Sequence, residues 1–235
     1  MNALADHALL GIWERGAGCG PVERGLLLLG AALPEQTPER CAEIPIGARD
    51  AAILKLRRAT FGSRFCGRAN CPRCGEEHEF DLDLGALLAD APPPADGEIV
   101  LGNGLRFRLP NSGDLAAVAR HNDTDAAVRQ LLQRCCLNAP SGLAWSQSLL
   151  DEVEGGMTAL ESTTDIELRF DCIACGEAWS DRLDVAGCVW EEIAARARRL
   201  LDEVHGLAIY YGWSEQQILA MSDARRDAYL QRCFT

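Results

Sequence analysis

Two short cysteine motifs, far apart in the chain, constrain the fold more than any other feature. They are Cys71-Pro72-Arg73-Cys74-Gly75 and Cys172-Ile173-Ala174-Cys175-Gly176. In such a knuckle both thiolates can reach one cation, and the glycine favours a left-handed turn that points backbone N–H groups at the sulfurs. Two knuckles supply four sulfurs, which complete a closed tetrahedral site with no position for a water or a substrate. The motifs therefore predict one structural zinc ion per chain, with the ligands Cys71, Cys74, Cys172 and Cys175.

Other interpretations of the cysteines are weaker. Four thiolates also suit iron, and the sequence leaves that alternative open. A redox-active Cys-x-x-Cys pair usually opens a helix, whereas both copies here precede strands. The total of eleven cysteines is odd, and the chain starts without a secretory pattern, so metal binding with reduced thiols fits better than a disulfide framework. Cys66 lies close to the first knuckle but lacks a partner cysteine at knuckle spacing, and we expect that it is not a metal ligand.

The residues that follow the two knuckles resemble each other. Aligning Cys74 with Cys175 also aligns Glu76 with Glu177, Asp83 with Asp184 and Leu84 with Val185. Alternating polar and apolar residues predict strands at 79–84, 166–171 and 179–185. This pattern predicts a zinc ribbon, in which two knuckles on neighbouring β-hairpins clamp one ion between them.

Helical periodicity dominates both ends of the chain. It predicts N-terminal helices at 3–15, 22–33 and 48–59, with Pro21 in a first turn and Pro34 and Pro38 ending the second helix. On the third helix a basic group should point outward, either as a solvated face or as a docking patch for an acidic partner; it comprises Arg49, Lys55, Arg57 and Arg58. Near the C-terminus a long helix should end at Gly212, and Ser214 and Ser222 should cap two short helices.

The residues between the two knuckles predict a small αβ lobe. It should contain a loop at 91–97, a hairpin around Gly102-Asn103-Gly104, a helix capped by Ser112 and another capped by Thr124 or Asp125. A further helix at 148–160 should be interrupted at Gly155-Gly156.

These elements predict an α+β protein in which helical ends surround a split zinc ribbon with an inserted lobe. The predicted divisions are an N-terminal helical region at 1–65, the first half of the ribbon at 66–84, an inserted αβ lobe at 85–164, the second half of the ribbon at 165–186 and a C-terminal helical region at 187–235. The metal would tie together both ends of the insertion.

Charge and motif content argue against several classes of function. A formal net charge of -12 repels a phosphate backbone, which makes a nucleic-acid surface unlikely on balance. No stretch is long and apolar enough to cross a membrane, so a cytoplasmic protein is expected. None of the four histidines lies in a protease or nucleophile motif, and no glycine-rich phosphate loop is visible. We therefore expect a protein that is not an enzyme.

The C-terminal sequence carries a family resemblance. The stretch from Tyr210-Tyr211-Gly212-Trp213-Ser214 to Leu230 resembles a module of tail and baseplate assembly proteins of tailed phages. Together with Leu-x-x-Arg-x-Ala-Thr-Phe-Gly at 54–62 and the knuckles, the chain is similar to zinc-ribbon proteins of contractile tail gene clusters. The resemblance implies a structural or assembly protein of a phage tail or tail-like injection particle, which docks on baseplate or hub proteins and can be incorporated in the particle.

One alternative function stays open. Zinc ribbons often serve transcription or translation, and Arg64, Arg68 and Arg73 cluster near the first knuckle. The chain could then be a regulatory or accessory factor that contacts transcription machinery or nucleic acid. The sequence makes no prediction of the oligomeric state.

Overall fold

The fold is described from a computed structural model, in which residues 2–90, 97–160 and 166–233 are described. The loop predicted at 91–97 lies, apart from Gly97, outside the described residues.

The N-terminal region is helical, as predicted. Its elements are α1 (Asp6–Gly16), α2 (Pro21–Ala32), α3 (Pro38–Glu43) and α4 (Ile46–Phe61). One prediction is corrected here: Pro38 was expected to end the second helix, but it is also the first residue of α3. Proline suits a first turn since its missing N–H would have no partner there, and the Thr37 side chain caps α3 by accepting a hydrogen bond from the backbone N–H of Arg40.

Two hairpins and four helices follow α4. They are β1 (Arg64–Asn70), β2 (Glu77–Asp83), α5 (Leu84–Asp90), β3 (Glu98–Val100), β4 (Arg106–Arg108), α6 (Ser112–Val118), α7 (Thr124–Cys135) and α8 (Gln147–Leu160). Three predictions about helix ends and breaks were wrong. Asn111, not Ser112, caps α6 through a capping box with Asp114. Asp123 caps α7. Helix α8 continues through Gly155-Gly156. The glycine at 156 is explained by close packing against β3, since a Cβ there would lie 2.8 Å from Ile99 Cγ2.

The chain then forms a third hairpin and the C-terminal helices. They are β5 (Glu167–Asp171), β6 (Ala178–Arg182), α9 (Val185–Tyr211), α10 (Glu215–Leu219) and α11 (Asp223–Cys233). Helix α9 ends at Gly212, which has a left-handed conformation with φ 67°, as predicted. The strand predicted at 179–185 is shorter, because the Asp184 side chain accepts a hydrogen bond from the backbone N–H of Gly187 and thereby starts α9. Among the described residues no helix has both the length and the apolar composition needed to span a bilayer.

Two hydrophobic clusters hold these elements together. The larger one surrounds α9 and includes residues from α1, α2, α4 and the strand β1, such as Leu28, Ile53 and Phe65. The smaller one lies within the segment 99–160 and centres on Phe107 and Val153, both fully buried. The segments that carry the two clusters meet next to α6, where the backbone N–H of Ile46 donates a hydrogen bond to the carbonyl of Pro110 at 3.0 Å.

The basic group on α4 is not uniformly solvated, which corrects another prediction. Lys55 and Arg58 are exposed, but Arg49 and Arg57 are buried. Arg57 donates two hydrogen bonds, of 2.8 and 2.6 Å, to the carboxylate of Glu192 on α9. Arg49 donates to Asp50 at 2.8 Å. A buried charge needs such partners, since desolvation otherwise disfavours it strongly.

A third buried guanidinium joins the two ends of the chain. Arg226 on α11 is 0% exposed. Its acceptors are Glu203 Oε2 at 2.7 Å, Asp6 Oδ2 at 2.6 Å, Asp223 Oδ1 at 2.6 Å and the carbonyl of Met221 at 2.7 Å. Arg196 on α9 contacts the same three carboxylates. This network, which the sequence did not predict, fixes α1 and α11 on α9.

Candidate metal centre

The structure brings the four knuckle sulfurs together. All four Sγ atoms lie within 4.8 Å of one another. The contacts across the hairpins are shorter: 3.6 Å from Cys71 to Cys175 and 3.6 Å from Cys74 to Cys172. An ion with four sulfurs at about 2.3 Å in a tetrahedron sets them about 3.8 Å apart. The donor set therefore fits a four-coordinate metal ion.

Both knuckles adopt the same local conformation. In the first, the N–H of Cys71 donates to the carbonyl of Glu76 at 2.8 Å, and the N–H of Gly75 donates to the carbonyl of Cys71 at 2.9 Å. In the second knuckle, residues Cys172, Gly176 and Glu177 form the equivalent bonds at 2.7 and 2.8 Å. The two glycines have φ of 77° and 73°, a region that L side chains rarely adopt. The glycine after each Cys-x-x-Cys is thus required by the turn.

The resemblance between the two halves extends beyond the knuckles. Asn70 pairs with Glu77 in the first hairpin, as Asp171 pairs with Ala178 in the other, so the knuckle closes both hairpins in the same register. The aligned aspartates also share a role: Asp83 accepts a hydrogen bond from the N–H of Gly85 at the start of α5, and Asp184 caps α9. Each half is therefore a unit of hairpin, knuckle and capped helix.

An aromatic layer packs the two knuckle-bearing hairpins against each other. The ring of Phe170 lies 5.7 Å from that of Phe80 and is stacked on Trp179 at 5.0 Å. His78 meets Trp179 edge-on at 5.3 Å, and its Nε2 is buried without a hydrogen-bond partner among the described residues. Such contacts stabilise the hairpin pair beyond the area that they bury. They place the two knuckles next to each other.

The four sulfurs differ in their exposure to solvent. Cys71 and Cys172 are 2% and 3% exposed, whereas Cys175 is half-buried and Cys74 is exposed. One side of the cluster therefore faces the hairpins and the other side faces water. An ion pair between Arg73 and Glu177, at 3.4 Å, crosses from one knuckle to the other.

The local environment also separates the acidities of the sulfurs. Burial raises the pKa of Cys71, but backbone N–H groups of Cys74 and Arg73 directed at its sulfur outweigh this and lower that pKa to about 7. At Cys175 the N–H of Glu177 lowers the pKa, but burial and the neighbouring thiols, Cys172 first among them, raise it to about 12. Binding of a cation would favour deprotonation of the cluster, since metal binding displaces the thiol protons.

Cys66 is not part of the cluster. Its thiol is exposed on β1 and donates a hydrogen bond to Asp81 Oδ1 at 2.7 Å. That bond, with burial and the negative charge of Asp81, raises the pKa of Cys66. The thiol therefore stays protonated and is a weak ligand and nucleophile.

Comparison with known proteins gives one match. Residues 31–141 match the family described as T4 bacteriophage base plate protein. The match covers just under half of the chain, from the end of α2 to the residues after α7, and supports a phage baseplate protein. It includes the first knuckle and the motif at 54–62. No curated protein and no solved structure matches the chain.

The match leaves the second knuckle and the C-terminal module outside. Within that module the structure shows an aromatic cluster, in which Tyr211 stacks on Trp213 at 4.4 Å and Tyr229 meets both rings edge-on. Ser214 and Gln217 form a capping box at the start of α10. The predicted turn and cap are therefore present, while the family assignment of this module stays a prediction.

Proposed function

We propose that the chain is a structural or assembly protein of the baseplate of a contractile phage tail or a tail-like particle. The observation that carries this proposal is the family match over residues 31–141, which supports a structural baseplate role. It agrees with the resemblance drawn independently from the C-terminal motif. In this role the protein acts by docking on baseplate or hub proteins, inside the producing cell and then in the particle.

Docking, not catalysis, is the proposed mode of action. The charged groups that are buried have structural partners: Arg57 with Glu192, and Arg226 with three carboxylates. The four-sulfur site offers a metal no open coordination position, and such closed sites stabilise folds. The baseplate family is itself structural in its description, which favours a protein without enzymatic activity.

We further propose that the cluster binds one zinc ion per chain through Cys71, Cys74, Cys172 and Cys175. Sulfur distances near those of a tetrahedron and two knuckle turns of the same conformation support this proposal. The ion would join residues 66–84 to residues 165–186 as the two halves of a split zinc ribbon, with 85–164 as an inserted lobe between the helical regions 1–65 and 187–235. A structural ion in such a site contributes folding free energy directly.

The docking proposal is tested by purifying an affinity-tagged chain from cells that express its whole gene cluster. Tail tube, sheath or baseplate proteins should be recovered with it, and a Cys66→Ser chain should recover the same set because that thiol is outside the cluster. Recovery of RNA polymerase without any tail protein would overturn the proposal in favour of the transcription-factor alternative.

The metal proposal has a separate test. Elemental analysis of chain purified under reducing conditions should give one zinc per chain and no stoichiometric iron. No metal, or two ions per chain, would refute it. Because this measurement involves no partner protein, its result does not affect the docking proposal.

A further inference from the structure

The cluster contains two sulfur pairs that cross between the hairpins. Cys74 lies 3.6 Å from Cys172, and Cys175 lies 3.6 Å from Cys71. Each pair joins a sulfur that solvent reaches to one that is buried, since Cys74 is exposed and Cys175 half-buried, whereas Cys172 and Cys71 are buried. An accessible thiol next to a buried partner is the arrangement in which oxidation leads to a disulfide.

We propose that the four-sulfur site is also a site of oxidative modification, at which Cys74 and Cys172 form a first disulfide and Cys71 and Cys175 a second. The inference rests on the four-sulfur site of the proposed function, but not on the identity of the ion. The oxidant is a peroxide, which enters from the exposed side.

The chemistry balances in two steps for each pair. The accessible thiol loses its proton to solvent, and its sulfur attacks one peroxide oxygen and is oxidised to a sulfenic acid, while the other oxygen leaves as hydroxide. The buried thiolate then attacks the sulfenic sulfur, the S–S bond forms, and a second hydroxide leaves. Both hydroxides take protons from solvent and become water. The metal ion is released without a change of charge, because it has lost its thiolate ligands.

The knuckle conformation disfavours disulfides within a knuckle. In each knuckle two backbone hydrogen bonds fix the turn between the cysteines, for example from the N–H of Gly75 to the carbonyl of Cys71. With the turn fixed, each sulfur has its 3.6 Å neighbour on the opposite hairpin. The aromatic layer also holds the two hairpins, and with them the two cross-hairpin sulfur pairs, next to each other.

Three thiols outside the cluster are in environments that disfavour reaction with the oxidant. Cys66 is engaged with Asp81. Burial raises the pKa of Cys135 to about 12 and that of Cys188 to about 11, so both are protonated at neutral pH.

The consequence is that the two hairpins stay joined after the ion is lost. Metal would join them in the reducing cytoplasm, where disulfides are rare, and disulfides would join them in an oxidising environment outside the cell. A disulfide between Cys74 and Cys172 closes a long loop, which constrains the unfolded chain more than a short one does.

The test treats the purified full chain with hydrogen peroxide and EDTA, blocks free thiols, and maps tryptic peptides without reduction. Trypsin cuts after Arg68, Arg73, Arg106, Arg169 and Arg182, so Cys71 and Cys74 fall in separate peptides while Cys172 and Cys175 share the peptide 170–182. We expect 74–106 joined to 170–182 at low peroxide, and 69–73 added to this pair at higher peroxide.

Two variants assign the first bond. Cys175→Ser should still join 74–106 to 170–182, whereas Cys172→Ser should lose most of that product; Cys66→Ser is the control and should behave as the unmodified chain. A disulfide within 170–182 together with a direct link between 69–73 and 74–106, or equal amounts of both patterns, would overturn the inference. Metal content is measured on the reduced chain, so a missing ion would refute the metal proposal without affecting this result.

Discussion

The buried guanidinium of Arg226 should be essential for holding both ends of the chain on α9, and the substitution Arg226→Ala tests this. The side chain is 0% exposed and donates to one carboxylate on each of three helices, α1, α9 and α11. Removing it leaves a void beside three negative charges. We expect α1 and α11 to lose their attachment and the whole chain to become less stable.

The magnitude follows from the contacts. A hydrogen bond to a charged group contributes about 1.5–3 kcal/mol, so three of them set an upper limit of roughly 4.5–9 kcal/mol. Two features reduce this value. Arg196 still lies 2.9–3.3 Å from the same carboxylates, and the Asp223 side chain is 66% exposed and can regain water. We expect a loss of about 3–5 kcal/mol, as when a buried ion pair loses one member.

The assay is urea unfolding at 25 °C followed by circular dichroism, with thermal melts alongside. For a chain of this size the expected loss corresponds to a fall in Tm of roughly 6–20 °C. Arg225→Ala is the matched control, because Arg225 is exposed and its guanidinium contacts only the ring of Tyr229, at 5.8 Å, among the described residues. That contact is worth about 0.5–1 kcal/mol.

A second variant separates charge from volume. Arg226→Met fills most of the void but leaves the carboxylates uncompensated, so it should destabilise almost as much as Arg226→Ala. Equal losses for Arg226→Ala and Arg225→Ala would refute the reasoning. An Arg226→Met chain of unchanged stability would also refute it, because packing volume and not charge would then account for the effect.

Three further predictions concern the cluster, its turns and the smaller core. Free zinc near a thousand times its dissociation constant stabilises the folded chain by ~4 kcal/mol, so with reductant present Cys71→Ser or Cys175→Ser should lower Tm by roughly 8–16 °C. Cys66→Ser should lower Tm little. Equal losses in all three variants would contradict the four-ligand site. Gly176→Ala, at φ 73°, should cost about 1–2 kcal/mol in urea unfolding, and no loss would argue against the left-handed turn. Burial raises the pKa of Asp114, but hydrogen bonds from Arg108 and a backbone N–H outweigh this and lower it. Its stabilisation is thus present above the unfolded value, near pH 4, and lost as pH falls through the lower folded pKa; the stability difference between the unmodified chain and Asp114→Asn should shrink below about pH 4, and a difference constant with pH would refute this.

Local sequence signals predicted the candidate site well. A Cys-x-x-Cys-Gly motif determines its own turn, since the glycine conformation and the backbone hydrogen bonds lie within six residues. The strands on either side follow from alternating residues. That the two knuckles meet was inferred from the four sulfurs that they supply together and from the resemblance of the two halves, and the structure brings the sulfurs within 4.8 Å. Their role as metal ligands stays a prediction.

Long-range pairing of charges is what the sequence could not provide. Helical periodicity predicts that Arg57 and Lys55 both point outward, yet Arg57 is buried and Lys55 is exposed. The difference comes from Glu192, which lies on α9 and accepts both hydrogen bonds of the Arg57 fork. Nothing near Arg226 in the sequence predicts its burial either, because its partner Asp6 lies at the opposite end of the chain. Periodicity predicts which face of a helix a residue occupies, but not whether a residue elsewhere in the chain supplies an opposite charge that allows it to be buried.

The family match and the cluster bear on each other. Residues 31–141 contain one knuckle, which supplies two sulfurs, and the two that complete the four-sulfur cluster come from residues outside the match. The same stretch depends on α9 for the carboxylate that compensates Arg57. A segment with half a metal site and an uncompensated buried guanidinium has strong physical reasons not to be stable alone. The matched stretch is therefore one side of a structure whose other side, the second knuckle and α9, completes both the proposed metal site and the larger core.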